Sequence, residues 1–177
     1  MNRKIVIVDY GMGNLHSLKR ILSTFNIPVL VSHDVAEITA ATHLILPGVG
    51  HFGQAMERLK QHKLLDVLNQ AALVEKKPIL GICLGMQLMT GFSEEGQTSG
   101  LGWFYCDTVN LSKRNSFPYK TPHLGWNTLT IHQDHSLLNA IKSEDEFYFV
   151  HGFGVLEAEQ NQILCTTEYG GEIIAGL

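Results

Sequence analysis

The sequence predicts an α/β fold: a mostly parallel central sheet flanked by helices, with additional antiparallel strands in the C-terminal half. Three observations lead there. Short continuous apolar runs recur at Ile5–Val8, Pro28–Val31, His43–Leu46 and Pro78–Leu80, the texture of strands buried on both faces. Segments of helical period separate them, and a β–α–β alternation at this spacing implies right-handed crossovers. The turns at 9–14, 47–53 and 81–87 are glycine-bearing and each follows a strand, so a parallel sheet would gather them on one rim, where sites form.

Ile5-Val6-Ile7-Val8 opens the sheet and runs into Asp9-Tyr10-Gly11-Met12-Gly13-Asn14. His16 stands where a phosphate loop of the G-x-G-x-x-G kind needs its third glycine, so a tight strand-to-helix turn is expected. The helix after it carries Leu15, Leu18, Ile21, Leu22 and Phe25 on one face. Asp34 starts a short helix after the second strand. The third strand leads through Pro47–Gly53 into a long amphipathic helix with Phe52, Met56, Leu59, Leu65 and Leu68 inward. Beyond Gly91 the pattern changes. Ser93–Gly100 and 115–122 read as loops, Ser136 as the cap of a helical turn, and strand-like stretches lie in 102–111, 123–129, 147–150, 163–166 and 173–175. No repeat or linker interrupts the chain, and its 177 residues suit one domain.

Gly81-Ile82-Cys83-Leu84-Gly85 has the G-x-[SC]-x-G form of a nucleophile elbow, a strand turning sharply into a helix with the nucleophile at the bend. Side chains at 81 and 85 would collide with the crowded backbone. The helix start should favour the Cys83 thiolate, and the helix should close at Gly91 through its tolerance of positive φ. The N–H of Leu84 is the natural first oxyanion donor, and Val49 and Gly50, on the glycine-rich loop of the same rim, are candidates for the second. Cys106 and Cys165 lack this context and read as ordinary buried cysteines.

Composition narrows the class. A net charge of −4 without a basic run gives no reason to expect nucleic acid or an anionic membrane. No apolar stretch is long enough to span a bilayer, and the N-terminus shows no cleavable leader. Three scattered cysteines form neither a disulfide framework nor a zinc pattern. His132 and His135 without carboxylate or thiolate company read as surface residues, so neither metal nor cofactor is expected. The expectation is a reduced, cytoplasmic enzyme or enzyme subunit.

Taken in order, Asp9–Asn14, Pro47–Gly50, Gly81–Gln87, Pro122-His123-Leu124-Gly125-Trp126-Asn127 and Phe147-Tyr148-Phe149-Val150-His151 resemble the glutaminase subunits of imidazole glycerol phosphate synthase, class I (triad) glutamine amidotransferases of histidine biosynthesis. The resemblance covers essentially the whole chain. It implies a flavodoxin-like three-layer fold and a Cys–His–Glu triad that hydrolyses glutamine to glutamate and ammonia. It also implies a heterodimer with a (β/α)₈ cyclase subunit that receives the ammonia through its core. Cys83 matches the nucleophile, Val49 and Gly50 the oxyanion strand, and Gln87 and Glu95 residues that hold glutamine, Glu95 binding its α-ammonium. Asn14, His123 and Trp126 fall in motifs that face the cyclase, and Trp126 is expected to be at least partly exposed in the isolated chain.

Two departures stand out. The family completes its triad with a His-Pro-Glu stretch just after a strand like 173–177, so residues 1–177 are expected to be one amidotransferase domain lacking that C-terminal segment and inactive by itself. Gly152-Phe153 replaces a hydroxyl-bearing pair. The alternatives are a paralogue serving another pathway, such as surface-sugar biosynthesis, and a catalytically silent binding subunit.

Overall fold

In the computed structural model, residues 3–25, 27–113 and 119–177 are described; part of the loop expected at 115–122 lies outside them. Four parallel strands form the first sheet: β1 (Ile5–Val8), β2 (Val29–Ser32), β3 (His43–Gly48) and β4 (Ile79–Cys83), in the order β2-β1-β3-β4. Helix α1 (Leu15–Ser23) connects β1 to β2, and α2 (Val35–Thr39) connects β2 to β3. Asp34 caps α2 as expected, its Oδ1 accepting from the N–H groups of Ala36 and Glu37. β1 and β3 are buried because helices cover them: Val6, Val8, Leu44 and Leu46 pack with Ile38, Phe52, Leu59, Leu64 and Leu68. β2 is only partly buried, and β4, expected to be buried, has no fully buried residue and leaves Leu80 exposed.

The expected long helix after β3 is two pieces, α3 (Phe52–Gln61) and α4 (Leu65–Asn69), the latter running into a wider π-type turn over 70–74. The break is at Lys63, whose φ of +57° no right-handed helix accommodates. Bending there lets Leu59, Leu64 and Leu68 all reach the core. Helix α1 is only half covered: Leu15, Leu18 and Leu22 are partly buried, while Ile21 and Phe25 face solvent.

The rest of the chain builds two further sheets. The strands are β5 (Phe92–Ser93), β6 (Thr98–Ser99), β7 (Asp107–Asn110), β8 (His123–Thr128), β9 (Thr130–Ile131), β10 (Glu146–His151), β11 (Phe153–Val155), β12 (Cys165–Glu168) and β13 (Glu172–Gly176). Seven form a sheet ordered β6-β5-β7-β11-β13-β12-β9, antiparallel except where β5 meets β7. β8 and β10 pair antiparallel as a separate ribbon. The stretch read as a polar loop at Ser93–Gly100 is therefore a small hairpin. The turn after Ser136 is capped by His135, whose Nδ1 accepts from the Leu137 N–H, and not by Ser136. Among the described residues no helix is long and apolar enough to cross a membrane.

Candidate active site

β4 delivers Cys83 to the rim, and α5 (Leu84–Gln87) leaves from it at once. Cys83 has φ +54° and ψ −115°, a conformation ordinarily left to glycine, so the bend is an elbow in backbone terms as well as in sequence. The flanking glycines are steric necessities. A methyl on Gly81 would lie 2.7 Å from the Cα and N of Met86, and one on Gly85 would overlap the Leu46 carbonyl oxygen. Gly91 does not close α5 through positive φ. The helix ends sooner, where the Thr90 hydroxyl donates to the Gln87 carbonyl, and the Gly91 N–H donates instead to Cys106 O.

The Cys83 thiol is accessible but its anion is not favoured as expected. Desolvation pushes the thiol up, and the Leu84 N–H beside it offsets only part of that. The reason is burial, which disfavours the charged form. An anionic thiol at Cys83 would therefore require a base. Cys106 and Cys165 are buried, as their sequence contexts suggest.

The parallel register sets Gly48 opposite Cys83, so Val49 and Gly50 emerge beside the thiol. Val49 is exposed and Gly50 has φ +109°. Gln87, one turn beyond Cys83, donates through Nε2 to the Phe153 carbonyl at 2.9 Å. Glu95 accepts the Phe52 N–H at 2.8 Å through Oε2, holding the first residue of α3, and His51 caps the next N–H, that of Gly53, through Nδ1. Gln87 and Glu95 thus both have intramolecular partners that tie the C-terminal half to the rim.

The motif residues expected at a partner surface divide. Asn14 is exposed and caps α1, its Oδ1 accepting from the Ser17 N–H. Trp126 is 67% exposed and meets Tyr148 edge-on. His123 is different: it is 2% exposed and stacks on Phe149 and Tyr169, so its side chain faces the interior. The β8 pleat explains the division, because neighbouring residues point to opposite faces and 123 and 126 differ by an odd number.

Sequence reasoning missed the link between His123 and the site. His123 Nδ1 lies 3.1 Å from His151 Nε2, and His151 Nδ1 lies 2.8 Å from the Phe153 carbonyl that also accepts Gln87. A carbonyl only accepts, so His151 carries its proton on Nδ1, and His123 donates to the bare His151 Nε2. Burial favours the neutral rings. His123 is pushed down to about 4 by burial and by His151; His151 is lowered by burial, with the Phe153 carbonyl acting in the opposite sense. The recurrence of histidine in both the 123 and 151 motifs was the available signal.

The family model described as "Glutamine amidotransferase class-I" matches residues 6–176. The chain belongs to that family. Its relatives include "Imidazole glycerol phosphate synthase subunit HisH 2" of Methanococcus maripaludis, 42% identical over 98% of this chain and 85% of that protein. The "subunit HisH" of Geobacillus thermodenitrificans is 41% identical over 97% of this chain and 81% of its own length. Among solved structures, a crystal structure of glutamine amidotransferase superposes with a TM-score of 0.68 at 13% identity, covering 92% of this chain and 84% of that one. A crystal structure of a GMP synthase component from Thermoplasma acidophilum gives 0.66 at 17% identity, covering 96% and 75%. These two support the amidotransferase fold, with its parallel sheet and added antiparallel strands.

Proposed function

We propose that this amidotransferase is the glutaminase subunit of an imidazole glycerol phosphate synthase, acting in histidine biosynthesis. The relatives of that description, 41–42% identical over nearly the whole chain, support the pathway. The observation that carries the chemistry is Cys83 in a left-handed elbow opposite Gly48, with backbone N–H groups on either side of the cleft to serve as oxyanion donors. The thiolate attacks the side-chain carbonyl of glutamine, and the Leu84 N–H together with those of Val49 and Gly50 receives the negative oxygen. Ammonia leaves with a proton from the acid, giving a thioester, and water then releases glutamate and regenerates the thiol. Base and acid are both the His of the triad that the resemblance implies, which takes the thiol proton and passes it to the leaving ammonia, while the Glu orients its ring. Gln87 and Glu95 hold the substrate, and ammonia passes to a (β/α)₈ cyclase docked over Asn14 and Trp126.

The test is glutamine turnover by the intact protein bound to its cyclase. Cys83→Ala should lower it by about a thousandfold or more without moving the melting temperature downward, and a glutamine-like diazo-ketone should label Cys83 alone. Undiminished turnover in Cys83→Ala would refute the assignment.

A second reading has specific support. Methanococcus maripaludis has two relatives, subunits HisH 1 and HisH 2, 40% and 42% identical to this chain, and Gly152-Phe153 departs from the expected hydroxyl-bearing pair. A paralogue supplying ammonia for another pathway, such as surface-sugar biosynthesis, would keep the same site and differ in its acceptor. Complementation of a histidine auxotroph separates the two.

A further inference from the structure

Tyr10 carries a hydroxyl fully buried beside the site, and nothing in the reaction as written uses it. It donates to the Pro47 carbonyl at 2.6 Å, bridging 37 residues from the end of β1 to the end of β3. The next residue, Gly48, lies opposite Cys83 and is glycine for lack of room. A methyl there would overlap the Tyr10 hydroxyl and come within 3.0 Å of Leu84 Cβ and 3.2 Å of the Gly85 nitrogen. The phenol, the glycine and the first turn of α5 therefore meet at one point.

The same segment touches the far end of the loop. A methyl on Gly50 would lie 2.9 Å from Met12 Cε. The turn after β1 thus brackets Val49, with Tyr10 before it and Met12 after it. Burial, reinforced by charge at Cys83, holds the phenol far above its ordinary titration range, so it stays a donor throughout the working pH range.

We propose that Tyr10 is a positioning residue for glutamine hydrolysis. Its hydroxyl fixes the Pro47–Gly48 peptide, aims the N–H groups of Val49 and Gly50 at the oxygen above Cys83, and confines any reorientation of the loop to the peptides beyond Gly48. This rests on the reading of Val49 and Gly50 as oxyanion donors. It assigns Tyr10 no contact with the substrate.

Tyr10→Phe keeps the ring and removes only the oxygen. In the intact protein bound to its partner, kcat for glutamine should fall about 10- to 100-fold, the range a small misplacement at a reacting centre produces. KM should stay within about twofold. Alkylation of Cys83 by iodoacetamide, which needs the thiol but no oxyanion donors, should also stay within about twofold. NMR relaxation of the backbone ¹⁵N nuclei should show order lost at Val49 and Gly50 and kept at Val6–Val8.

A lower melting temperature with kcat unchanged would make Tyr10 a core residue and overturn the proposal. Alkylation falling in parallel with kcat would overturn it too, since Tyr10 would then act on the thiol. If wild-type protein hydrolyses no glutamine, the functional reading fails, and relaxation at Val49 and Gly50 still decides whether Tyr10 holds the loop: unchanged order there refutes it.

Discussion

Along β1 and β3, Val6, Ile7, Val8, Leu44, Ile45 and Leu46 are all buried, whichever face they point to, whereas in the β8–β10 ribbon only His123 is fully buried and one face lies open to solvent. On the open face Leu124 pairs with Val150 and Trp126 with Tyr148, and all four are more than half exposed. The ribbon's inner face is held by ring stacking around His123 and by polar ties to β12. Asn127 Nδ2 donates to Glu168 O, and the Thr167 hydroxyl donates to Thr128 O. The parallel sheet owes its form to apolar burial. The ribbon owes its form to stacking and hydrogen bonds, which leaves apolar side chains available for contact with another molecule.

The sharpest way to break this comparison is to add one methyl to each region. Gly85→Ala forces a carbon into the Leu46 carbonyl and should cost about 3 kcal/mol or more in a urea titration, if the variant folds at all. Gly125→Ala meets nothing within 4 Å and suffers only from its φ of +142°, so about 1–2 kcal/mol is expected. Equal costs would mean that the ribbon is packed as tightly as the sheet.

Trp126→Ala addresses the open face directly. It should weaken association with the cyclase by about 2 kcal/mol and leave the melt of the isolated chain nearly unchanged. A titration showing unaltered affinity, with the cooperative melt lost, would instead assign Trp126 to the core.

The smallest effect concerns the ribbon's inner face. Both histidines of the pair have folded pKa values below the ordinary value of about 6.5, so the unfolded chain binds more protons as pH falls. Their contribution to stability is complete above about pH 6.5 and is lost as pH falls toward about 4, the His123 value. Melts across that interval should drop, and drop less in His123→Phe, which keeps the stack and removes the proton site. Parallel curves would show that the pair does not govern acid sensitivity.

How much of this was legible follows the same division. The strands β1, β3 and β4 are apolar runs and the elbow is a contiguous motif, so both could be read locally; of its glycines, Gly81 is required by its near neighbour Met86, whereas Gly85 is required by Leu46, far away in sequence. Lys63 could not, because nothing about lysine announces a left-handed φ; the need for Leu59 and Leu64 to share one core imposes it. Glu95 reaches Phe52 across 43 residues and Gln87 reaches Phe153 across 66, distances no local pattern encodes. His123 is buried while Leu124 and Trp126 beside it are exposed because the pleat of β8 turns alternate members inward, which the motif read as a unit does not show. The thiol's resistance to ionisation was missed because its desolvation comes from residues packed around it and not from the local motif.

One consequence of the elbow remains. Cys83 carries a Cβ at φ +54° and ψ −115°, where side chains other than glycine's hydrogen are strained by about 1–3 kcal/mol. A glycine at this position would give back about 0.4–1 kcal/mol of that through the greater freedom of its unfolded chain. Cys83→Gly should accordingly be the more stable protein and a chemically empty one. Stability and turnover are opposed at this residue. Mutational drift judged by folding alone would erase the thiol, and only selection for what the thiol does keeps it there.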